Sequence, residues 1–298
     1  MRKMTTSYLI AVFLMHNTWL SKSIPDELYL KLIYKGYMNK PLDLENPNTF
    51  NEKLQWLKLH DRKMEYSAMV DKYEAKNYVR DRIGEEYIIP TYGVWDSFED
   101  INFDVLPNQF VLKCTHDSGG LAIVRDKKII DKEAIKKKIK KSLKTNFYFY
   151  NREWPYKEVK PRILAEAYMK DGENSDLRDY KFYCFNGLPR FLYISEGLEN
   201  HKTARISFVT PDWQFASYER SDYSPFDKLP ERPEKLDEML DIASRLSMGH
   251  LFLRVDLYQI NGKVYFSELT FSPCGGLMPF KNPQDDIDIG KMLKLPCQ

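Results

Sequence analysis

The four cysteines, Cys114, Cys184, Cys274 and Cys297, are scattered and form no CxxC pair. That excludes a zinc site or a disulfide framework and fits a reducing compartment. Long apolar runs are missing too: Tyr8–Met15 is far shorter than the ~20 residues of a membrane span. The following His16-Asn17-Thr18-Trp19 lacks the small-residue cleavage pattern of a signal peptide. A helix packed on the protein is therefore expected there, in a cytoplasmic chain. Net charge is close to nil, +2 over 298 residues, which leaves no case for nucleic acid. Lysine gathers only in Ile135–Lys141 (IKKKIKK), read as the solvated face of a helix, with attraction to an anionic polymer or membrane surface as the alternative. There is no GxxxxGK[ST] loop, no early βαβ unit with a glycine fingerprint and no local Ser-His-Asp or Cys-His arrangement. His16, His60, His201 and His250 suit no metal spacing. The composition, 43% hydrophobic and 30% charged without repeats, is that of a globular protein of one large or two smaller domains.

What is present divides into a helical first third and a strand-rich remainder. Asp26–Met38 follows Pro25 and is dense in leucine. Thr49-Phe50-Asn51-Glu52 is a capping box that leads into Glu52–His60. A third helix is expected over Asp71–Arg82, ending at Gly84. Strands are expected at Tyr87–Pro90, Gln109–Cys114, Leu121–Arg125, Arg162–Met169 and Ala204–Thr210. Arg178–Phe185 and Pro189–Ser195 flank Asn186-Gly187 as a hairpin. Helices are expected over Asp131–Lys144 and Pro233–Met248. The pattern is α+β with largely antiparallel sheets, in two lobes behind a helical N-terminal section.

The most informative stretch is His250–Gly276 (HLFLRVDLYQINGKVYFSELTFSPCGG), two strand-like runs about Asn261-Gly262. Arg254 and Asp256 share one face of the first run; Glu268 and Thr270 share one face of the second. An arginine, two carboxylates and a hydroxyl on adjacent strands suit a divalent metal holding phosphate. A two-residue turn would put Asp256 and Glu268 on opposite faces. A three-residue loop with a bulge at Gly262 would set Arg254 opposite Glu268 with Asp256 beside them. Both turns are common; the metal-site reading requires the bulge, and a two-residue turn is expected to sink it.

Phe110–Gly120 (FVLKCTHDSGG) puts Lys113 on a strand that breaks into a Gly119-Gly120 loop, where backbone N–H groups can approach phosphate. A lysine at a strand end is more often a surface feature, and His116 in the loop is placed against phosphate only on the functional reading. Glu166 is a lone acid in an apolar strand, either an edge glutamate facing water or an acceptor for a ribose or base. Asp179 and Lys181 are same-face charges that a cross-strand salt bridge would equally explain. The aromatic run Asn146–Tyr156 suits packing between lobes better than stacking on a sugar.

In order, VDK at Val70–Lys72, VLKCTHDSGG, ILAEAYM, DYKFYCFNG, LRVDLY and FSELTFSP resemble the ATP-grasp superfamily. They resemble more closely its teichuronopeptide-biosynthesis (TupA-like) branch, found with bacterial capsule and surface-polysaccharide genes and often labelled glycosyltransferases. The resemblance also takes in Pro41–His60, a run without an evident chemical role. It implies an ATP-grasp fold, with a helical section over 1–70, a smaller lobe over 71–165 and a larger lobe over 166–298. It implies that Lys72 and Lys113 bind ATP phosphates under a mobile loop, His116, Asp117, Ser118, Gly119 and Gly120. Glu166 is then the hinge acid near the nucleoside, and Asp179 lines the nucleotide site with Lys181 beside it. Arg254 faces the transferred phosphoryl group, and Asp256 and Glu268 bind magnesium. Thr270 stands where an asparagine ligand is usual, and the usual N-terminal substrate domain is replaced by the helical section, so substrate identity does not carry over.

The resemblance implies an ATP- and Mg2+-dependent carboxylate–amine ligase of surface-polysaccharide biosynthesis that amidates a uronic or related sugar acid with an amino acid. Its expected partners are a polysaccharide or sugar-acid acceptor and an amine donor, with peripheral attachment to membrane-bound machinery at the inner face. The runner-up is a glycosyltransferase, whose DxD would have to be Asp286-Ile287-Asp288 in the polar segment after Asn282-Pro283, a poor context. A third reading is a non-catalytic nucleotide-binding partner.

Overall fold

A computed structural model describes residues 5–117, 119–172, 177–197 and 203–296. Ser118, His201 and Cys297 lie outside the described residues. The chain opens with helices α1 (Thr6–His16), α2 (Thr18–Ser21), α3 (Asp26–Met38), α4 (Phe50–His60), α5 (Glu65–Val70) and α6 (Ala75–Ile83). The capping box of α4 forms: Thr49 Oγ1 accepts from Glu52 N, and the Glu52 carboxylate accepts from Thr49 N. The single helix expected over Asp71–Arg82 instead begins at Ala75, because Asp71 Oδ1 accepts from Tyr73 N and Glu74 N and turns the chain first.

A first sheet is built from β1 (Thr91–Trp95), β2 (Phe110–Cys114), β3 (Leu121–Val124) and β4 (Ile163–Ala167), in the order β1-β4-β2-β3. The strand expected at Tyr87–Pro90 is displaced: Glu85–Tyr87 is a 3-10 turn and pairing starts at Thr91. Helix α7 (Lys132–Leu143) covers this sheet, with Ile139 packed among Phe110, Leu112 and Ile163. A short α8 (Tyr148–Asn151) follows. The boundary expected at 165/166 falls inside β4, which belongs wholly to the first sheet.

The second sheet comprises β5 (Asp179–Phe185), β6 (Leu188–Glu196), β7 (Arg205–Val209), β8 (Phe252–Ile260) and β9 (Lys263–Thr270), ordered β7-β6-β5-β8-β9. Every strand pairing in both sheets is antiparallel, so the class is α+β as expected. Alternation assigns the faces. Phe182, Cys184, Leu253 and Val255 point to α9 (Leu236–Ser247) and α6 and are buried there. Phe185 and Phe252 point the other way, onto Phe50 of α4, with ring centroids 5.8 and 5.1 Å away. Farther along that same face the residues become Lys181, Asp179, Arg254 and Asp256. One face is thus apolar where α4 covers it and charged where α4 ends.

The polar segment after Asn282-Pro283 is helix α10 (Pro283–Met292). Asn282 caps it by accepting from Gln284 N, and proline occupies the first turn. Asp286 is buried and accepts from Asn51 N at 2.9 Å, so the DxD run is structural here. Among the described residues no helix is long and apolar enough to cross a membrane.

Candidate active site

The turn between β8 and β9 is the two-residue one. Ile260 pairs with Lys263, and Asn261 and Gly262 both have positive φ, 49° and 72°. That corrects the expected bulge at Gly262, yet the charges still meet. The register shifts between Asp256 and Leu257: Leu257 pairs with Phe266, while Asp256 pairs with Glu268, leaving Ser267 as an extra residue. The strand bulge at Ser267 supplies the one-residue phase change that the turn lacks. Asp256 therefore faces Glu268 directly, and Arg254 faces Thr270 rather than Glu268.

Arg254 reaches across both carboxylates. Its Nε donates to Asp256 Oδ1 at 2.7 Å, and its Nη2 to Asp256 Oδ2 at 2.6 Å and Glu268 Oε1 at 2.8 Å. Thr270 Oγ1 donates to the same Glu268 oxygen at 3.4 Å. Lys181, opposite Asp256 on β5, bridges Asp256 Oδ2 at 2.6 Å and Asp179 Oδ2. Asp256 is fully buried, while the Glu268 side chain keeps 41% of its exposure.

The first sheet supplies a second group. Glu166 is not on an edge: β4 lies between β1 and β2, and its carboxylate pairs Lys76 of α6 at 2.7 Å and Lys113 of β2 at 2.6 Å. Lys72 Nζ donates to the carbonyl of Asp117 in the glycine loop. The Asp117 carboxylate accepts from Gly120 N at 3.1 Å and from Ser142 Oγ of α7. His116, expected against phosphate, is instead turned into the end of α7, with Nε2 3.1 Å from Ser142 O and 3.0 Å from Thr145 O. A Cβ at Gly120 would strike Cys114 and Ser142, whereas Gly119 has open space around it. Glu268 acts electrostatically on both Lys72 and Lys113, which links the two groups of charges. Two surface clefts of about 440 and 330 Å3, beside Arg205 and Lys31, share none of these residues.

This ordered set, split between two antiparallel sheets, coincides with a family match: the model described as TupA-like ATPgrasp fits residues 52–294. The chain belongs to the TupA-like ATP-grasp family. Its fold is accordingly ATP-grasp. Among solved structures, it is similar to the D-alanine–D-alanine ligase from Bacillus anthracis complexed with ATP. That match has 19% identity and a TM-score of 0.40, and covers 68% of this chain and 55% of the other. The Helicobacter pylori D-alanine–D-alanine ligase gives 17% identity and a TM-score of 0.41, over 84% of this chain and 70% of that one. The ATP-grasp ligase PsnB with a phosphomimetic variant of its minimal precursor, Mg and ADP gives 11% and 0.41, over 88% and 65%. The chain thus spans about half the length of the Bacillus anthracis enzyme. No curated protein matches it.

In this TupA-like chain the buried charges tune one another. Burial disfavours charge on Glu166, but Lys113 and Lys76 outweigh it and lower the carboxyl. Burial likewise opposes ionisation of Glu268, yet Arg254, Lys181 and Lys72 hold it down to about 2. For Asp256 burial wins and lifts the carboxyl to about 6 despite Arg254 and Lys181. Lys72 is lowered by burial against Glu268 and Asp117. Asp179 Oδ1, Tyr183 Oη and Ser195 Oγ, on the same face, are buried without a protein partner, which suits a ligand rich in hydroxyl groups.

The donor chemistry fits magnesium in one particular way. Asp256, Glu268 and Thr270 offer hard oxygen ligands, but no group of three or more His, Cys, Asp or Glu among the described residues could hold an ion. Magnesium characteristically uses one or two carboxylates together with substrate phosphates. The set therefore fits an ion that shares its coordination with a nucleotide, not one caged by protein alone.

Sequence reasoning missed Lys76, whose partner Glu166 lies 90 residues on, and it missed the use of Pro41–His60. Lys58 Nζ, buried, donates to Gln55 Oε1 at 2.9 Å, Asn151 O at 2.8 Å and Gly275 O at 2.6 Å. Burial lowers Lys58 to about 8 even with Glu153 nearby. The side chain staples α4 and the Asn146–Tyr156 run to the turn that follows β9. The available signal was a run of Asn51, Gln55 and Lys58 along one face with Leu54, polar residues at the spacing of a buried helix side.

Proposed function

We propose that this protein is an ATP- and Mg2+-dependent carboxylate–amine ligase acting through an acyl phosphate. The observation that carries the reading is the Ser267 bulge, which sets Asp256 against Glu268 with Arg254 bonded to both. On this reading Lys72 and Lys113 hold ATP phosphates, and Arg254 neutralises the γ-phosphoryl group in transit. Glu268 and Asp256, with Thr270, would hold magnesium, which would supply Lewis-acid neutralisation of the phosphate oxygens. A substrate carboxylate oxygen attacks the γ-phosphorus and ADP leaves. An amine then attacks the acyl carbon, inorganic phosphate leaves, and the amine loses its proton. On this reading the glycine loop keeps water from the acyl phosphate. Such chemistry needs no side-chain nucleophile, consistent with the lack of a triad.

The substrate pair proposed is a uronic or related sugar acid and an amino acid, in capsule or other surface-polysaccharide biosynthesis. Support for that context is the branch resemblance alone. The test is ADP release from Mg–ATP with a panel of uronic acids and amino acids. Glu268→Gln should cut turnover by at least about a hundredfold, the scale of losing a transition-state contact. Undiminished turnover in Glu268→Gln would refute the assignment. ATP binding without turnover across the panel would favour the non-catalytic reading.

A further inference from the structure

Helix α1 is apolar on both sides. Ala11 and Leu14 are buried against α3, where Gly36 permits close approach to Ala11. The outward side carries Leu9, Ile10 and Phe13, 47%, 47% and 54% exposed, with Trp19 beyond the helix end at 68%. The spacing 9, 10, 13 is one helical stripe. Exposed apolar residues gathered this closely mark a contact surface, whereas scattered ones need no explanation. The stripe precedes the family match at 52–294 and touches none of the site residues, so the inference does not rest on the ligase reading.

Charge indicates the occupant. Residues 1–25 contain no Asp or Glu but include Arg2, Lys3 and Lys22. Helices α1 and α2 pack on α8, and Lys22 lies over the Phe149 ring there at 5.2 Å. Lys141 and Lys144, both exposed at the end of α7, precede α8 by only a few residues. A second copy related by two-fold symmetry would bring these cations against themselves. A sheet of anionic headgroups over hydrocarbon satisfies both features at once. At 11 residues the helix is far too short to cross and would lie in the interfacial plane. We propose that the α1–α2 face docks this protein onto an anionic lipid surface, with Leu9, Ile10, Phe13 and Trp19 entering the headgroup–acyl boundary.

The test is flotation of the full chain with vesicles of phosphatidylcholine, alone or mixed with phosphatidylglycerol. Binding should appear with the anionic vesicles and weaken severalfold in high salt. Combined Leu9→Ser, Ile10→Ser and Phe13→Ser should weaken it at least about tenfold. An unchanged thermal melt checks that the variant is folded. Should it fail to fold, Trp19→Phe gives a second readout: the difference in emission from wild type should shift to the blue on adding anionic vesicles. No flotation, flotation unaffected by the triple substitution, or a concentration-dependent dimer in place of vesicle binding would overturn the proposal.

Discussion

Deleting Ser267 should be tolerated, although single deletions inside a buried strand usually are not. From Ile260↔Lys263 to Leu257↔Phe266 the ladder is regular and would be untouched. With Ser267 gone, Glu268 follows Phe266 and meets Asp256 in ordinary pairing, so Val255↔Leu269 and Arg254↔Thr270 also survive. What is lost is the electrostatic interaction of the Ser267 side chain with Tyr258 and some local twist. That is about 1–2 kcal/mol, or a fall in melting temperature of roughly 2–8 °C. Deleting Phe266 keeps the same carboxylate pairing but puts Ser267 into a core position. It should cost about 3–5 kcal/mol, as for removing a buried phenylalanine. Deleting Leu269 instead sends Thr270 into the core and removes it from Arg254, which should abolish nucleotide binding. Thermal melts with and without Mg–ATP read all three. If the Ser267 deletion loses the Mg–ATP shift as fully as the Leu269 deletion, the bulge's own shape is what the site needs, and the register argument is wrong.

Glu166→Gln strands Lys76 and Lys113 without a counter-charge; because Lys113 is partly exposed, the loss should sit near about 3 kcal/mol, measured by urea unfolding. Lys58→Met unpairs the Asn151 carbonyl and leaves that of Gly275 with Gln55 Nε2 alone, and should cost about 2 kcal/mol and slow turnover while ATP binding persists, read by melting and ADP release. Burial, with Lys63 and Arg82 nearby, holds His250 down to about 4 from 6.5. The unfolded chain therefore takes up a proton that the native state refuses, and stability falls as pH drops from about 6.5 to 4, by about 3 kcal/mol. His250→Phe should remove that part of the pH dependence in urea titrations, and an unchanged slope would refute it.

The legible parts were those coded locally. The Thr49–Glu52 box, the two Asn-Gly turns and the α9 pattern each depend on neighbours in sequence. The Ser267 bulge carries no such code: no glycine marks it, and it exists because Asp256 and Leu257 across the ladder must keep opposite faces. Expecting the phase change at Gly262 was reasonable, but Asn261-Gly262 supports a tight turn on its own. Lys76 was hidden for a similar reason, since its role depends on a strand formed much later in the chain. The partners of His116 were hidden because loop position does not reveal that the ring would find carbonyls at the end of α7. The cap at Asn282-Pro283, by contrast, was readable and was passed over as merely polar.

Helix α4 is complete in sequence by residue 60, yet the surface it covers is made by Phe185, Phe252, Ile289 and Leu293. Asn51 Nδ2 donates to Met278 O across 227 residues. While the chain is being made, Phe50 therefore waits for Tyr183 and Phe185, and the contact of α4 with α10 waits until synthesis is almost finished. This is a long wait for an apolar face, at a stage when such surfaces invite aggregation or chaperone binding. Truncation shortly before α10 should leave α4 packed on the second sheet but stripped of Ile289 and Leu293 on its other side.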